Sequence, residues 1–200
     1  MRIITGIARG IKLETLEGEA TRPTSEVVKE AIFSAIQFEI NDRIVLDLFG
    51  GSGQMALEAL SRGAAKATVV DNSRQATDII KANAQKTGLF QKCRIATMDW
   101  KEFVKGASGR EKYDLVILDP PYKGTKEMTE GKRDGGVSPL DEIIKRITAA
   151  GILSDDAIIV AESDGDGVPV PPDDMSCRVY RYGKTYVTIM RHDTENKTEE

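Results

Sequence analysis

Short apolar runs alternate along most of the chain with stretches whose apolar residues recur every three or four positions. Ile44 to Phe49, Ala67 to Val70, Cys93 to Thr97 and Tyr113 to Leu118 read as buried strands. Between them, Gln54 to Arg62, Arg74 to Thr87 and Trp100 to Lys105 read as helices, the first two stopped by Gly63 and Gly88. Strands joined by helices of this length predict a doubly wound α/β sheet, mostly parallel. Before this core, Val28, Ile32, Ala35 and Ile36 mark a helix from Ser25 to about Phe38, and short stretches around Gly6, Gly10 and Gly18 suggest a small N-terminal hairpin. After it, Lys123 to Pro139 lacks apolar periodicity and reads as a long mobile loop. Leu140 to Ala150 then predicts a helix, Ala157 to Glu162 a strand, and Cys177 to Met190, interrupted by Gly183-Lys184, a closing antiparallel hairpin.

These 200 residues suit a single domain: an N-terminal extension (1–24), a core (25–192) and a tail (193–200). No apolar run approaches the roughly 20 residues that cross a bilayer, and the start lacks the apolar core of a secretory signal, so a cytoplasmic protein is expected. Cys93 and Cys177 stand far apart, without a second thiol or histidine at ligand spacing, so neither a disulfide nor a metal is expected. With His192 the single histidine, carboxylates and backbone groups are the expected carriers of chemistry. The net charge of −4 argues against a protein that coats nucleic acid. Local cationic groups remain, in residues 1–13 (Arg2, Arg9, Lys12) and 177–192 (Arg178, Arg181, Lys184, Arg191).

In Val45-Leu46-Asp47-Leu48-Phe49-Gly50-Gly51-Ser52-Gly53 a strand enters a glycine-rich turn that opens a helix. Glycines serve there because the backbone must approach a ligand closely. The turn with Ala56 and the later Asp71 also fits a dinucleotide site. Asp47 favours a methyl donor, since a carboxylate before the glycines can face an ammonium but would repel a pyrophosphate. Asp99, followed by Trp100 at the third strand end, is placed to accept from an adenine amino group beside the ring.

Asp119-Pro120-Pro121-Tyr122 closes the fourth strand. In open α/β sheets ligands bind outside the carboxyl ends of the strands, which puts this tetrapeptide beside the glycine turn. A base-bound amino nitrogen is a weak nucleophile because its lone pair is delocalised into the ring. If the Asp119 carboxylate and the Pro120 carbonyl each accept one of its hydrogens, the nitrogen is oriented for in-line attack, with Tyr122 stacked on the base. The target base must then be unpaired or extruded.

Nearly the whole chain resembles the RsmD family of 16S rRNA guanine-N2 methyltransferases. The matching pieces are Arg2-Ile3-Ile4 with Gly6 and Arg9-Gly10 through Leu13, Arg22-Pro23-Thr24, Asp47-Leu48-Phe49 with Gly51-Ser52-Gly53, Leu57-Glu58-Ala59-Leu60-Ser61-Arg62-Gly63, and Asp119-Pro120-Pro121-Tyr122. The resemblance implies a class I, Rossmann-like fold and S-adenosyl-L-methionine (SAM) as cofactor. It implies a cofactor site of Thr24, Asp47, Phe49, Gly50, Gly51, Gly53, Asp71, Asn72, Asp99 and Trp100, catalysis by Asp119, Pro120 and Tyr122, and RNA contact by Arg2, Arg9, Lys12 and Arg22. The implied partner is 16S rRNA in an assembled or assembling small subunit. The rival readings are a DNA adenine-N6 methyltransferase and a SAM- or RNA-binding module without catalysis. The stretch from Lys123 to Pro139, longer than usual in the family, and the acidic overall charge are departures from the family pattern.

Overall fold

A computed structural model describes residues 1–16, 26–121, 138–164 and 167–193. Its elements run α1 (Glu26–Ala35), β1 (Ile44–Asp47), α2 (Gln54–Ser61), β2 (Lys66–Asp71), α3 (Arg74–Lys86), β3 (Cys93–Thr97), α4 (Trp100–Ala107), β4 (Tyr113–Leu118), α5 (Pro139–Ala149), β5 (Leu153–Asp164), β6 (Met175–Tyr182) and β7 (Thr185–His192). The strands form one sheet in the order β3-β2-β1-β4-β5-β7-β6. The first five are parallel, while β7 runs antiparallel to both β5 and β6. The predicted α/β sheet with its closing hairpin is therefore observed.

Alternation along each strand sends side chains to two cores. Val45 packs with residues of α1, α2 and α3, whereas Leu46 and Leu48 pack with residues of α4 and α5 on the opposite face. The chain changes face after β3, so the order reverses between β1 and β4, the place at whose carboxyl ends open α/β sheets bind ligands.

Every residue of α2 is buried, including Gln54, Glu58 and Ser61, because the N-terminal segment covers its outer side. The buried Glu58 carboxylate accepts from the backbone N–H of Ile4 (2.8 Å) and Thr5 (3.0 Å) and from Arg62 Nε (2.9 Å), and it pairs with Lys29 Nζ at 3.2 Å. Lys29, equally buried, also donates to the Arg2 carbonyl at 2.6 Å. Burial pushes the Lys29 pKa down, opposed by the charge and hydrogen bond of Glu58. Nearby, Ile7 N–H donates to the Ser61 carbonyl, Ala8 N–H to Ser61 Oγ, and Ser61 Oγ to the Thr5 carbonyl. Gly6, at φ +88°, sits so close that a Cβ would lie 1.8 Å from the Ser61 carbonyl oxygen.

The expected N-terminal hairpin is present, short and clamped onto α2: Ile3 N–H donates to the Ile11 carbonyl (3.0 Å) and Leu13 N–H to the Met1 carbonyl (3.1 Å). Among the described residues its one bridge pair is Arg2 with Lys12. The donors of residues 4, 5, 7 and 8 are taken by α2 and are lost to a cross-strand ladder. Other differences are smaller: α1 ends at Ala35 rather than near Phe38, and β5 extends well beyond both predicted ends because β4 and β7 supply partners. The predicted loop from Lys123 lies outside the described residues up to 137, and Pro139 begins α5 behind a Ser138–Asp141 capping box. Likewise His192 ends β7, paired with Met175, and is integral to the sheet.

Removing one partner of a buried ion pair leaves the other charge uncompensated, so Glu58→Ala should lower unfolding free energy by about 3–5 kcal/mol in urea titrations. Glu58→Gln, which keeps one acceptor, should lose less. A loss from Glu58→Ala no larger than that of an exposed charge would contradict this account of the clamp.

Candidate active site at the carboxyl edge of the sheet

In the register of β1 with β4, Asp47 lies opposite Ile117, and Leu48 N–H donates to the Ile117 carbonyl at 3.2 Å. Two residues further, Asp119 leaves β4 beside the glycine turn. Asp71 ends β2, paired with Thr97 of β3, and Asp99 follows two residues later. Four carboxylates thus stand at the ends of four adjacent strands in the order Asp99, Asp71, Asp47, Asp119. At about 4.8 Å per strand the row spans roughly 15 Å.

The turn after β1 is braced from below and from the side. Gly50 N–H donates to the Val70 carbonyl (2.9 Å), Gly51 N–H to Asp71 Oδ2 (2.8 Å) and Gly53 N–H to the Gly50 carbonyl (2.7 Å). A Cβ on Gly50 would fall 2.4 Å from Val69 Cγ1 and 2.9 Å from Ile80 Cδ1, so only glycine lets the turn settle onto β2 and α3. Gly53 caps α2 at φ 77°, a left-handed conformation that glycine adopts without strain.

Asp47 is 2 % exposed. Burial pushes its carboxyl up to about 7, the N–H groups of Phe49 and Ala56 oppose the rise, and the charges of Asp119 and Asp71 add to it. A carboxylate taken out of water at a ligand-sized turn is costly unless a cation pairs with it. With Asp119 close by, the same field repels a pyrophosphate, which separates the two cofactor readings of the glycine turn in favour of a cationic ligand. Asp71 divides its oxygens between Gly51 N–H and Ser73 N–H, 2.8 Å each, and each oxygen keeps acceptor capacity for hydroxyl groups. Asp99 caps α4 through Oδ1 and Lys101 N–H at 2.7 Å, leaving Oδ2 for an amino donor.

The remaining predicted residues divide into three groups. Phe49 is half-buried at the strand end, 6.4 Å from the Trp100 ring, and Asn72 is exposed after Asp71. Trp100, only 7 % exposed, is largely a core ring of α4, flanked by Lys101 and Arg146; Phe49 is the more open aromatic surface. Pro120 is buried and Asp119 half-buried, whereas Arg22, Thr24 and Tyr122 lie outside the described residues. Arg2, Arg9 and Lys12 are exposed on the N-terminal segment, Arg2 facing Glu26 at 3.3 Å. Sequence reasoning passed over Gln54, the first residue of α2, whose buried Oε1 has no hydrogen-bond partner among the described residues. Its position directly after the glycines was the available signal. His192 is remote, paired with Asp174 at the opposite edge of the sheet.

A family described as conserved hypothetical protein 95 matches residues 1–191. The chain is 33 % identical over 195 residues to YlbH of Bacillus subtilis, covering 96 % of this chain and 98 % of that one. It is 32 % identical over 175 residues to ribosomal RNA small subunit methyltransferase D of Escherichia coli strain K12, covering 86 % and 79 %. Among solved structures, Escherichia coli yhhF superposes with a TM-score of 0.79 at 31 % identity, covering 96 % of this chain and 98 % of that one. A match over residues 1–191, joined to a strand-end row of carboxylates around a glycine turn, makes this chain a member of the conserved hypothetical protein 95 family, the RsmD family.

Proposed function

We propose that this chain transfers a methyl group from SAM to the exocyclic N2 amine of a guanine in 16S rRNA, within an assembled or assembling small ribosomal subunit. Asp47 carries the reading: its carboxylate, nearly stripped of water, stands one strand from Asp119 at the carboxyl ends of β1 and β4. The rRNA substrate rests on the family and on the relative named as an rRNA small subunit methyltransferase.

Asp47 receives the ammonium of the cofactor, Asp71 accepts from ribose hydroxyls, and Asp99 accepts from the adenine amino group. Gly50 and Gly51 admit the ligand to the backbone. When bound, SAM supplies an electrophilic methyl on a sulfonium that leaves as a neutral thioether. Asp119 and the Pro120 carbonyl each accept a hydrogen from the guanine amine, which points its lone pair at the methyl carbon; Tyr122 stacks on the base. After transfer, the surplus proton on nitrogen passes to Asp119 or to water, so the distant His192 has no part. Arg2, Arg9, Lys12 and Arg22 contact phosphates of the RNA, and an unpaired guanine is the form that enters the site.

Asp119→Asn should lower kcat on purified small subunits at least about 100-fold, as expected when one transition-state hydrogen bond is lost, while SAM affinity by calorimetry changes little. Undiminished turnover would remove Asp119 from the chemistry. Mass mapping of the product should find methyl on guanine N2; methylation confined to duplex DNA would defeat the RNA assignment, and SAM binding without any methylation would leave a binding module.

Titration of Asp47 gives a second prediction. Its folded pKa, about 7, lies above the ordinary value of 3.8, so between these values the folded chain holds a proton that the unfolded chain has released. Stability of the cofactor-free protein should therefore fall as pH rises from about 4 to 7 and level off above. Asp47→Asn should remove that slope, melting higher than the parent at pH 8. SAM affinity should run the opposite way, rising towards pH 7 in the parent and staying weak and flat in Asp47→Asn.

A further inference from the structure

Asn83 lies in the last turn of α3 and is completely buried. Its amide makes three hydrogen bonds to two pieces of chain that are far apart in sequence. Nδ2 donates to the Ser52 carbonyl at 2.9 Å, inside the glycine turn, and to the Glu14 carbonyl at 3.0 Å. Oδ1 accepts from Glu14 N–H at 2.8 Å. A second contact joins the same pieces, Ser52 Oγ to Met1 Sδ at 3.3 Å. The side-chain amide thus treats Glu14 as a paired strand residue would, and with its other hydrogen it fixes the orientation of the Ser52 peptide. That peptide lies between Gly51, at φ 53°, and Gly53, at φ 77°. Two adjoining glycines give the turn many alternative conformations, so something outside it must select one.

We infer that Asn83 is a positioning residue that holds the Gly51–Gly53 turn and the N-terminal segment in one register, so that cofactor binding and nucleic-acid binding strengthen each other. The inference rests on the reading of this turn as the SAM site and of Arg2, Arg9 and Lys12 as phosphate contacts. The physical reason is shared ordering. Residues 1–14 carry the three cations, and their far end is tied through one buried amide to the backbone that the cofactor must meet. A ligand that orders the turn through Ser52 also orders Glu14, and the second ligand then loses less conformational entropy on binding. Asn83 touches neither ligand.

Two measurements test this. In the parent protein, hydrogen exchange at the Glu14 amide should slow at least several-fold when S-adenosylhomocysteine is added, together with Gly51 and Gly53; protection of the turn with no change at Glu14 would overturn the coupling. In Asn83→Asp, which keeps the acceptor but loses both donor bonds, KM for SAM should rise about tenfold, the equivalent of the one lost bond that reaches the turn at Ser52, with kcat at saturating SAM within about twofold. The tightening of small-subunit binding by S-adenosylhomocysteine should also vanish in Asn83→Asp, while Asn83→Asp with KM and tightening unchanged sinks the inference. If Asn83→Asp does not fold, the exchange result decides. Asp71→Ala separates the two layers: unaltered SAM affinity there rejects the site itself, whereas weakened affinity there with an unaffected Asn83→Asp rejects only the role of Asn83.

Discussion

Parallel pairing of β1 with β4 is the constraint on which the site depends. It sets Asp47 opposite Ile117, so the chain leaves both strands at the same height. From there β1 turns onto β2 through the glycines while β4 exits through Asp119, so the two chains part at the point where the strand order reverses. The Asp47 carboxylate at that point is almost wholly buried, and burial is the main cause of its raised pKa. Burying a carboxylate there is costly unless a cation pairs with it, which is the physical basis of the role proposed for Asp47.

Helix α2 connects this site to the rest of the molecule. Its first turn is the wall of the glycine loop, and its last turn is the anchor of the N-terminal segment through Glu58, Ser61 and Arg62. In the Lys29–Glu58–Arg62 group Lys29 and Glu58 are fully buried and paired, and the Glu58 oxygens are shared with the backbone N–H groups of Ile4 and Thr5. One helix therefore adjoins the glycine turn at its start and carries the carboxylate that seats the N-terminal segment. Asn83 makes the same connection from α3, at the other end of the segment.

Much of this was legible from residue order alone. Strands β3 and β4 occupy the predicted residues, and the alternation of strands and helices suffices to place Asp47, Asp71, Asp99 and Asp119 at carboxyl ends, because apolar periodicity records which face of each element is buried. The glycine turn was equally readable, since close backbone approach and positive φ leave few residue choices. Those signals are local.

What only the tertiary structure decided is partner choice. Residues 1–13 form the short hairpin that their alternation suggests, yet the N–H groups of residues 4, 5, 7 and 8 bond to α2, and Glu58 and Ser61 are buried only because that segment covers them. Trp100 reads as an open stacking surface but enters the core beside Phe49. Asn83 has the appearance of one polar position among many on an exposed helix, and its three bonds reach residues 31 and 69 positions away. A sequence determines which groups must be buried or satisfied; which distant group satisfies them depends on how the assembled surfaces meet, and no local pattern encodes that.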